Sequence, residues 1–308
     1  MGNPRFLVIR GGAIGDFVMT LPALEAMKRR WPESHIEVLG YPHIAALAVA
    51  GGLADAVKSL DRASAALLFV PEQPLPAEQA LYLRSFEAVI SYLFDPDDSV
   101  RTSLQQAGVR QVLSVSPKIV GVPAAKHLMK PLEALAVYPE GEPYPRLKLR
   151  EDVLGEGRKR MSAWRAPVVV HPGSGGGKKN WPLSGFLAVA RRMKAAGLGP
   201  VFSFGEADDE VREAFAAQGE PFPVLPRGDL VQLAAALACS RGYLGNDSGV
   251  THVAAAVGIP VTAVFGPSDP ELWASRAPGV RLVRAAAATA EALEAVSEET
   301  VWAAFLRV

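Results

Sequence analysis

Short, fully apolar runs alternate with longer amphipathic stretches along the whole chain. Residues 6–9 are apolar throughout and of strand length, the pattern of a central parallel strand buried on both faces. A glycine-rich polar loop over 11–16 follows. Residues 17–31 then predict one helix, with Pro22 near its start and Lys28, Arg29 and Arg30 near its end, where cations suit the dipole. Residues 35–40 predict the next strand, and a second helix opens at Tyr41. Residues 67–70 and 88–93 are further strand candidates. The acidic run 95–98 caps a helix that ends at Gly108, and 111–115 reads as a strand. Strand and helix in alternation predict an open parallel α/β sheet.

A break follows a predicted helix at 126–137. Residues 138–146 hold three prolines and a glycine, and a charged, helical stretch runs on to about 165. We place the linker at about 138–165 and divide the chain into domains 1–148 and 149–308. The alternation then restarts, with strands predicted at 167–170, 200–204, 224–225, 242–244, 260–265 and 280–284. Helices are predicted at 182–196, 208–218, 231–238 and after Ser248, with a terminal helix at 291–306 that is free to pack back on the N-terminal domain. The expected architecture is two Rossmann-like, doubly wound domains facing a central cleft, with ligands at the carboxyl ends of the strands.

Composition narrows the classes of partner. The chain has 308 residues, and its 32 Lys and Arg balance its 32 Asp and Glu. Zero net charge leaves no long-range field for nucleic acid, which is not expected as a partner. One cysteine, Cys239, lies in an apolar helical run, and a buried thiol in a reducing compartment is the simplest reading. No signal peptide is expected ahead of the first strand. No apolar run reaches the about 18 residues of a membrane span, so a cytoplasmic protein is expected. Histidines 35, 43, 127, 171 and 252 are dispersed, and no spacing suggests a metal or a bound cofactor.

Three strand-to-helix loops carry the candidate chemistry. In the first, Gly12 and Gly15 match part of a dinucleotide fingerprint, but Arg10 stands where its first glycine belongs. A nicotinamide cofactor is therefore disfavoured. Asp16 closes this loop at a helix start, as either a simple N-cap or a general base. The second loop runs from His171 through Ser174 and three glycines to Lys178, Lys179, Trp181 and Pro182. Its amides can converge on a polyanion and an ammonium can neutralise it; the alternative is a surface loop with solvated lysines. The third reads Asn246, Asp247, Ser248, Gly249, Val250, Thr251, His252. It opens a helix whose N–H groups and positive end suit a phosphate, with His252 one turn in; the alternative is a plain βαβ junction. Two anion-binding turns on one sheet suit a nucleotide diphosphate. Between them, Glu206 and Asp209 could accept from ribose hydroxyls, while Asp208 reads as a helix N-cap.

At these three loops the chain resembles the heptosyltransferase family, glycosyltransferase family 9. The matching stretches are 10–24, 171–182 and 245–252 through Gly266 and Pro267. The resemblance implies a GT-B fold with the acceptor site in the N-terminal domain and the nucleotide sugar in the C-terminal one. It implies metal-independent, inverting transfer of a heptose from ADP-heptose, as substrate rather than cofactor, to a lipopolysaccharide core or other glycan acceptor. Asp16 matches the family's proposed base. Lys179 matches the lysine at the donor phosphates, with Lys178 as its rival. Asp247, Ser248, Gly249 and His252 match the phosphate-binding turn, and Ser248 stands where many relatives have Thr. Gly12, Gly15 and Ser174 are grouped with the donor-binding residues, and the sugar-contacting acid is either Glu206 or Asp209. A monomer in peripheral contact with the cytoplasmic face of the inner membrane is expected. The rival readings are a nucleotide-sugar epimerase of the same architecture and a non-catalytic nucleotide-sugar binding protein.

Overall fold

A computed structural model describes residues 3–61, 63–71 and 73–307. The chain forms two compact units, Met1–Tyr144 and Pro145–Val308. The first is built on a parallel sheet of β1 (Arg5–Arg10), β2 (His35–Gly40), β3 (Ala56–Ser59), β4 (Ala88–Ser91) and β5 (Val112–Ser114), in the order β3-β2-β1-β4-β5. Phe6 of β1 pairs with Ile36 on one side and Ala88 on the other. Leu7, Ile9 and Val89 pack with Phe86, Val100 and Leu104 into one core. The chain order reverses between β1 and β4, so the loop after β1 opens at a topological switch point.

The second unit's sheet contains β6 (Pro167–His171), β7 (Gly199–Phe202), β8 (Gly242–Asn246), β9 (Val261–Phe265) and β10 (Val280–Arg284), all parallel. Its order is β10-β9-β8-β6-β7, which reverses between β6 and β8. The loops after those two strands are therefore the second and third loops singled out above. Their proximity follows from the strand order.

Several elements differ from expectation, each for a local reason. Residues 67–70 do not form a strand: Leu67–Phe69 is a 3₁₀ turn. It buries Leu68 and leaves Phe69 and Val70 exposed, while the sheet edge is taken by the shorter β3. The helix expected at 17–31 is two, Ile14–Val18 and Leu21–Arg30. Pro22 lacks the N–H that a continuous helix needs and sits instead in the first turn of the second piece. Pro131 likewise turns the helix expected at 126–137 into Ala124–Met129 followed by a 3₁₀ segment, Lys130–Leu135. Residues 224–225 reduce to a single bridge between Phe202 and Val224. The terminal helix is also two, Ala290–Glu294 and Glu298–Phe305, each started by a hydroxyl cap, Thr289 and Ser297. Val301 of the last helix is buried in the second unit's own core beside Leu293 and Val283. The helix Ala77–Arg84 was not foreseen. No helix among the described residues is long and apolar enough to cross a membrane.

The charged stretch expected after the linker is the helix Glu151–Met161, and it belongs to the second unit, where it packs on the helix Leu230–Ala238. The close approach is at Gly157, where an added Cβ would lie 2.2 Å from the carbonyl oxygen of Ala235. Backbone cannot swing aside as a side chain can. Gly157→Ala should therefore destabilise the second unit by about 2 kcal/mol despite alanine's better helix propensity. A drop in melting temperature of about 4–8 °C is expected, and an unchanged or raised value would contradict this packing.

Candidate active site

At the switch point of the second sheet, one side chain joins the two loops. Asn246, the last residue of β8, is fully buried. Its carbonyl oxygen accepts the N–H of Trp181 at 2.9 Å, and its amide donates to the carbonyl of Pro172 at 2.8 Å. Both ends of the 172–181 loop are thus fixed to β8. Trp181 is held further by its indole N–H on the carbonyl of Val296, 2.8 Å, and by edge contact with Phe186.

Fixing this loop delivers Lys179 to Asp247. The ammonium lies 3.0 Å from one carboxylate oxygen, and Nε2 of His252 lies 3.7 Å from the other. Lys178, the rival from sequence, is exposed. Asp247 is buried, and burial alone would raise its pKa; the facing His252 ring, Ser268 and the Lys179 charge outweigh that and hold the carboxyl well below its ordinary range. Ser248 caps the helix Gly249–Ala256, its hydroxyl accepting the N–H of Thr251. Thr251 in turn donates to the carbonyl of Asn246 and meets the Tyr243 hydroxyl at 2.9 Å. Ahead of the capped Thr251 amide, the N–H groups of Gly249 and Val250 begin the helix and suit an anion. Ser174 folds back on its own loop, donating to the Gly176 carbonyl at 2.8 Å.

The carboxylates after β7 separate into three roles. Glu206 lines a cavity of about 100 Å³ with His171, Ser203, Phe204, Pro226 and Arg227. Asp209 pairs with Arg227, which lines that same cavity. Asp208 makes no side-chain cap to the helix that follows it. It is buried, accepts the Gly205 N–H at 2.7 Å, and lies 3.6 Å from Nε2 of His171. His171 is held by the carbonyl of Ser203 at 2.9 Å, and burial lowers its pKa against the pull of Asp208. A Cβ on Gly173 would fall 1.9 Å from Asp208, so this glycine makes room for that carboxylate. Sequence reasoning assigned no site role to Asn246, His171 or Asp208. His171 and Asn246 end strands inside the stretches that carry the family resemblance, and Asp208 had only its place before a helix as a signal.

In the first unit, the loop after β1 positions Asp16. Its carboxylate accepts the Ala13 N–H at 3.0 Å, inside the first turn of Ile14–Val18, and its side chain remains partly exposed. Gly12 has φ +96°, and a Cβ there would stand 2.9 Å from the Asp16 carboxylate. Gly15 lies inside the short helix. Arg10, absent from the site residues expected from sequence, is buried beneath Asp16. Among the described residues, no group of three or more His, Cys, Asp or Glu side chains could hold a metal.

Two doubly wound parallel α/β units are the components of the GT-B fold. The profile of glycosyltransferase family 9 (heptosyltransferase) matches residues 100–303. The chain belongs to that family. Lipopolysaccharide heptosyltransferase 1 of Pseudomonas aeruginosa is 36% identical over 93 residues, 30% of this chain and 26% of that protein. The chain spans less than half the length of the curated relatives it matches. Among solved structures, a family 9 glycosyl transferase from Veillonella parvula superposes with a TM-score of 0.82 at 20% identity, covering 100% of this chain and 99% of that one. The Escherichia coli heptosyltransferase WaaC with ADP superposes with a TM-score of 0.70 at 18% identity, covering 96% and 97%. At those identities the likeness is one of fold.

Two outcomes test the geometry. Asn246→Leu keeps the volume but orphans a buried N–H and a buried C=O, and should cost about 2–4 kcal/mol of unfolding free energy in a denaturant titration. A loss under about 0.5 kcal/mol would show that the loop is not held this way. Asp247 has a folded pKa below its unfolded one, so its stabilisation is full above the ordinary carboxylate range and is lost as pH falls through the folded value. The difference in unfolding free energy between wild type and Asp247→Asn should be widest near about pH 6 and shrink below about pH 4. A difference constant down to about pH 3 would contradict the ionised, paired carboxylate.

Proposed function

We propose that this protein is a glycosyltransferase that moves a heptose from ADP-heptose to a lipopolysaccharide core acceptor, with inversion and without a metal. The observation that carries the reading is the Lys179–Asp247–His252 cluster beside the start of the helix Gly249–Ala256. A diphosphate leaving group needs neutralisation, and a half-exposed ammonium with convergent helix amides supplies it. Asp247 is not itself a phosphate ligand in this reading, because a carboxylate repels an anion. It holds Lys179 and His252 in place. The cavity beside Glu206 takes the nucleoside, with Glu206 accepting from ribose hydroxyls. Family membership and the ADP in the WaaC structure support the choice of donor.

The reading assigns the acceptor's base to the first unit. Asp16 removes the proton of the acceptor hydroxyl as that oxygen attacks the anomeric carbon. The bond from that carbon to the donor phosphate breaks, and ADP leaves with the electron pair. One displacement inverts the anomeric centre.

The test has three parts. Thermal stabilisation by ADP should exceed that by UDP or GDP at equal concentration, and Lys179→Ala should weaken ADP binding at least tenfold. ADP release from ADP-heptose should require an acceptor, persist in EDTA, and fall by at least about 100-fold in Asp16→Asn. Preference for UDP or GDP would reassign the donor. Turnover of the sugar without acceptor would favour epimerisation, and near-normal turnover by Asp16→Asn would remove the base.

A further inference from the structure

Arg10 is the last residue of β1 and is only 3% exposed. Burying a guanidinium is costly unless its charge and donors are matched. Here the match is almost entirely Asp16. Nη2 donates to the Asp16 backbone carbonyl at 2.9 Å and Nε to the same oxygen at 3.3 Å. Nη2 also lies 3.5 Å from the Asp16 carboxylate. The third nitrogen reaches the Tyr92 carbonyl at a long 3.4 Å, and the guanidinium lies 6.0 Å from the Tyr92 ring centre. The Asp16 carbonyl accepts a further bond from the Thr20 hydroxyl, 3.0 Å. One fixed cation therefore touches Asp16 at both its backbone and its side chain, from beneath. Ala13 N–H and the space left by Gly12 fix the carboxylate from the other side.

We infer that Arg10 is a positioning residue that holds the Asp16 backbone and carboxylate in the orientation the transfer requires. The inference rests on the reading of Asp16 as the base. Arg10 does not touch substrate; it acts through Asp16. The rigid fork suits this task better than a lysine, because two donors on one carbonyl fix rotation as well as distance. Small misplacements of a reacting group cost about 100-fold in rate.

The test compares Arg10→Lys, Arg10→Met and Asp16→Asn by steady-state turnover, ADP affinity and melting temperature. Arg10→Met should lower kcat about 100-fold while ADP affinity, a property of the second unit, stays within about twofold. Arg10→Lys keeps the charge and one donor and should recover at least about tenfold of that loss. Should Arg10→Met fail to fold, Arg10→Gln takes its place, since it keeps a donor and drops the charge. Retention of kcat within about twofold in Arg10→Met, or Arg10→Lys no better than Arg10→Met, would overturn the inference. Near-normal turnover by Asp16→Asn would instead remove the base reading on which it stands.

Discussion

The loop that carries Lys179 depends on one buried amide. Asn246 ends β8 with no exposed surface and satisfies a donor and an acceptor of the neighbouring loop. Those two backbone groups are buried, and each would otherwise cost about 1–3 kcal/mol. The loop between them is rich in glycine and would have many conformations available if its ends were free. Tied at Pro172 and Trp181, it has few. Lys179 reaches Asp247 because its loop is closed from below, and the tie needs only one residue because the strand order has already put β6 beside β8.

A carboxylate at the centre of a proposed anion site looks contrary at first. Its logic is electrostatic. Two cationic or cationisable groups, Lys179 and His252, converge on the place where a diphosphate is proposed to sit, and without a counter-charge they would repel each other when the site is empty. Asp247 supplies that charge from within the protein, where its own burial penalty is outweighed by its partners. It keeps both groups oriented before a ligand arrives, so less ordering is required at binding.

The alternation of strands and helices could be read from the chain because parallel strands buried on both faces are continuous apolar runs, as in β1, β6 and β9. The reading failed where an apolar run was not sheet: residues 67–70 carry the same composition, yet only Leu68 found a core to enter. Helix ends were misjudged at Pro22 and Pro131, where a missing N–H mattered more than hydrophobic period. The site's loops were visible because glycine and charge cluster at strand ends. The resemblance named Lys179 and kept Lys178 as its rival; the residues alone could not separate them, because the partner that Lys179 meets, Asp247, lies 68 residues further on. Arg10, His171 and Asp208 were missed as site residues for a different reason: a buried polar side chain has no signature in sequence until its partner is located.

The two units also solve the same problem in the same way, which bears on how the loops should be read. In each, the first strand is an interior strand and the chain order reverses beside it, so the first loop of each unit opens at a switch point. In each, a glycine in that loop leaves room for an acidic side chain: Gly12 for Asp16, and Gly173 for Asp208. The glycines that seemed to belong to a phosphate cradle are thus partly spoken for by carboxylates. Gly12 combines a left-handed backbone with this close approach, so alanine is refused on two counts. Gly173 is refused on the second alone. In both units the small residue makes room for an acid that lies at a helix start beyond the carboxyl end of a strand.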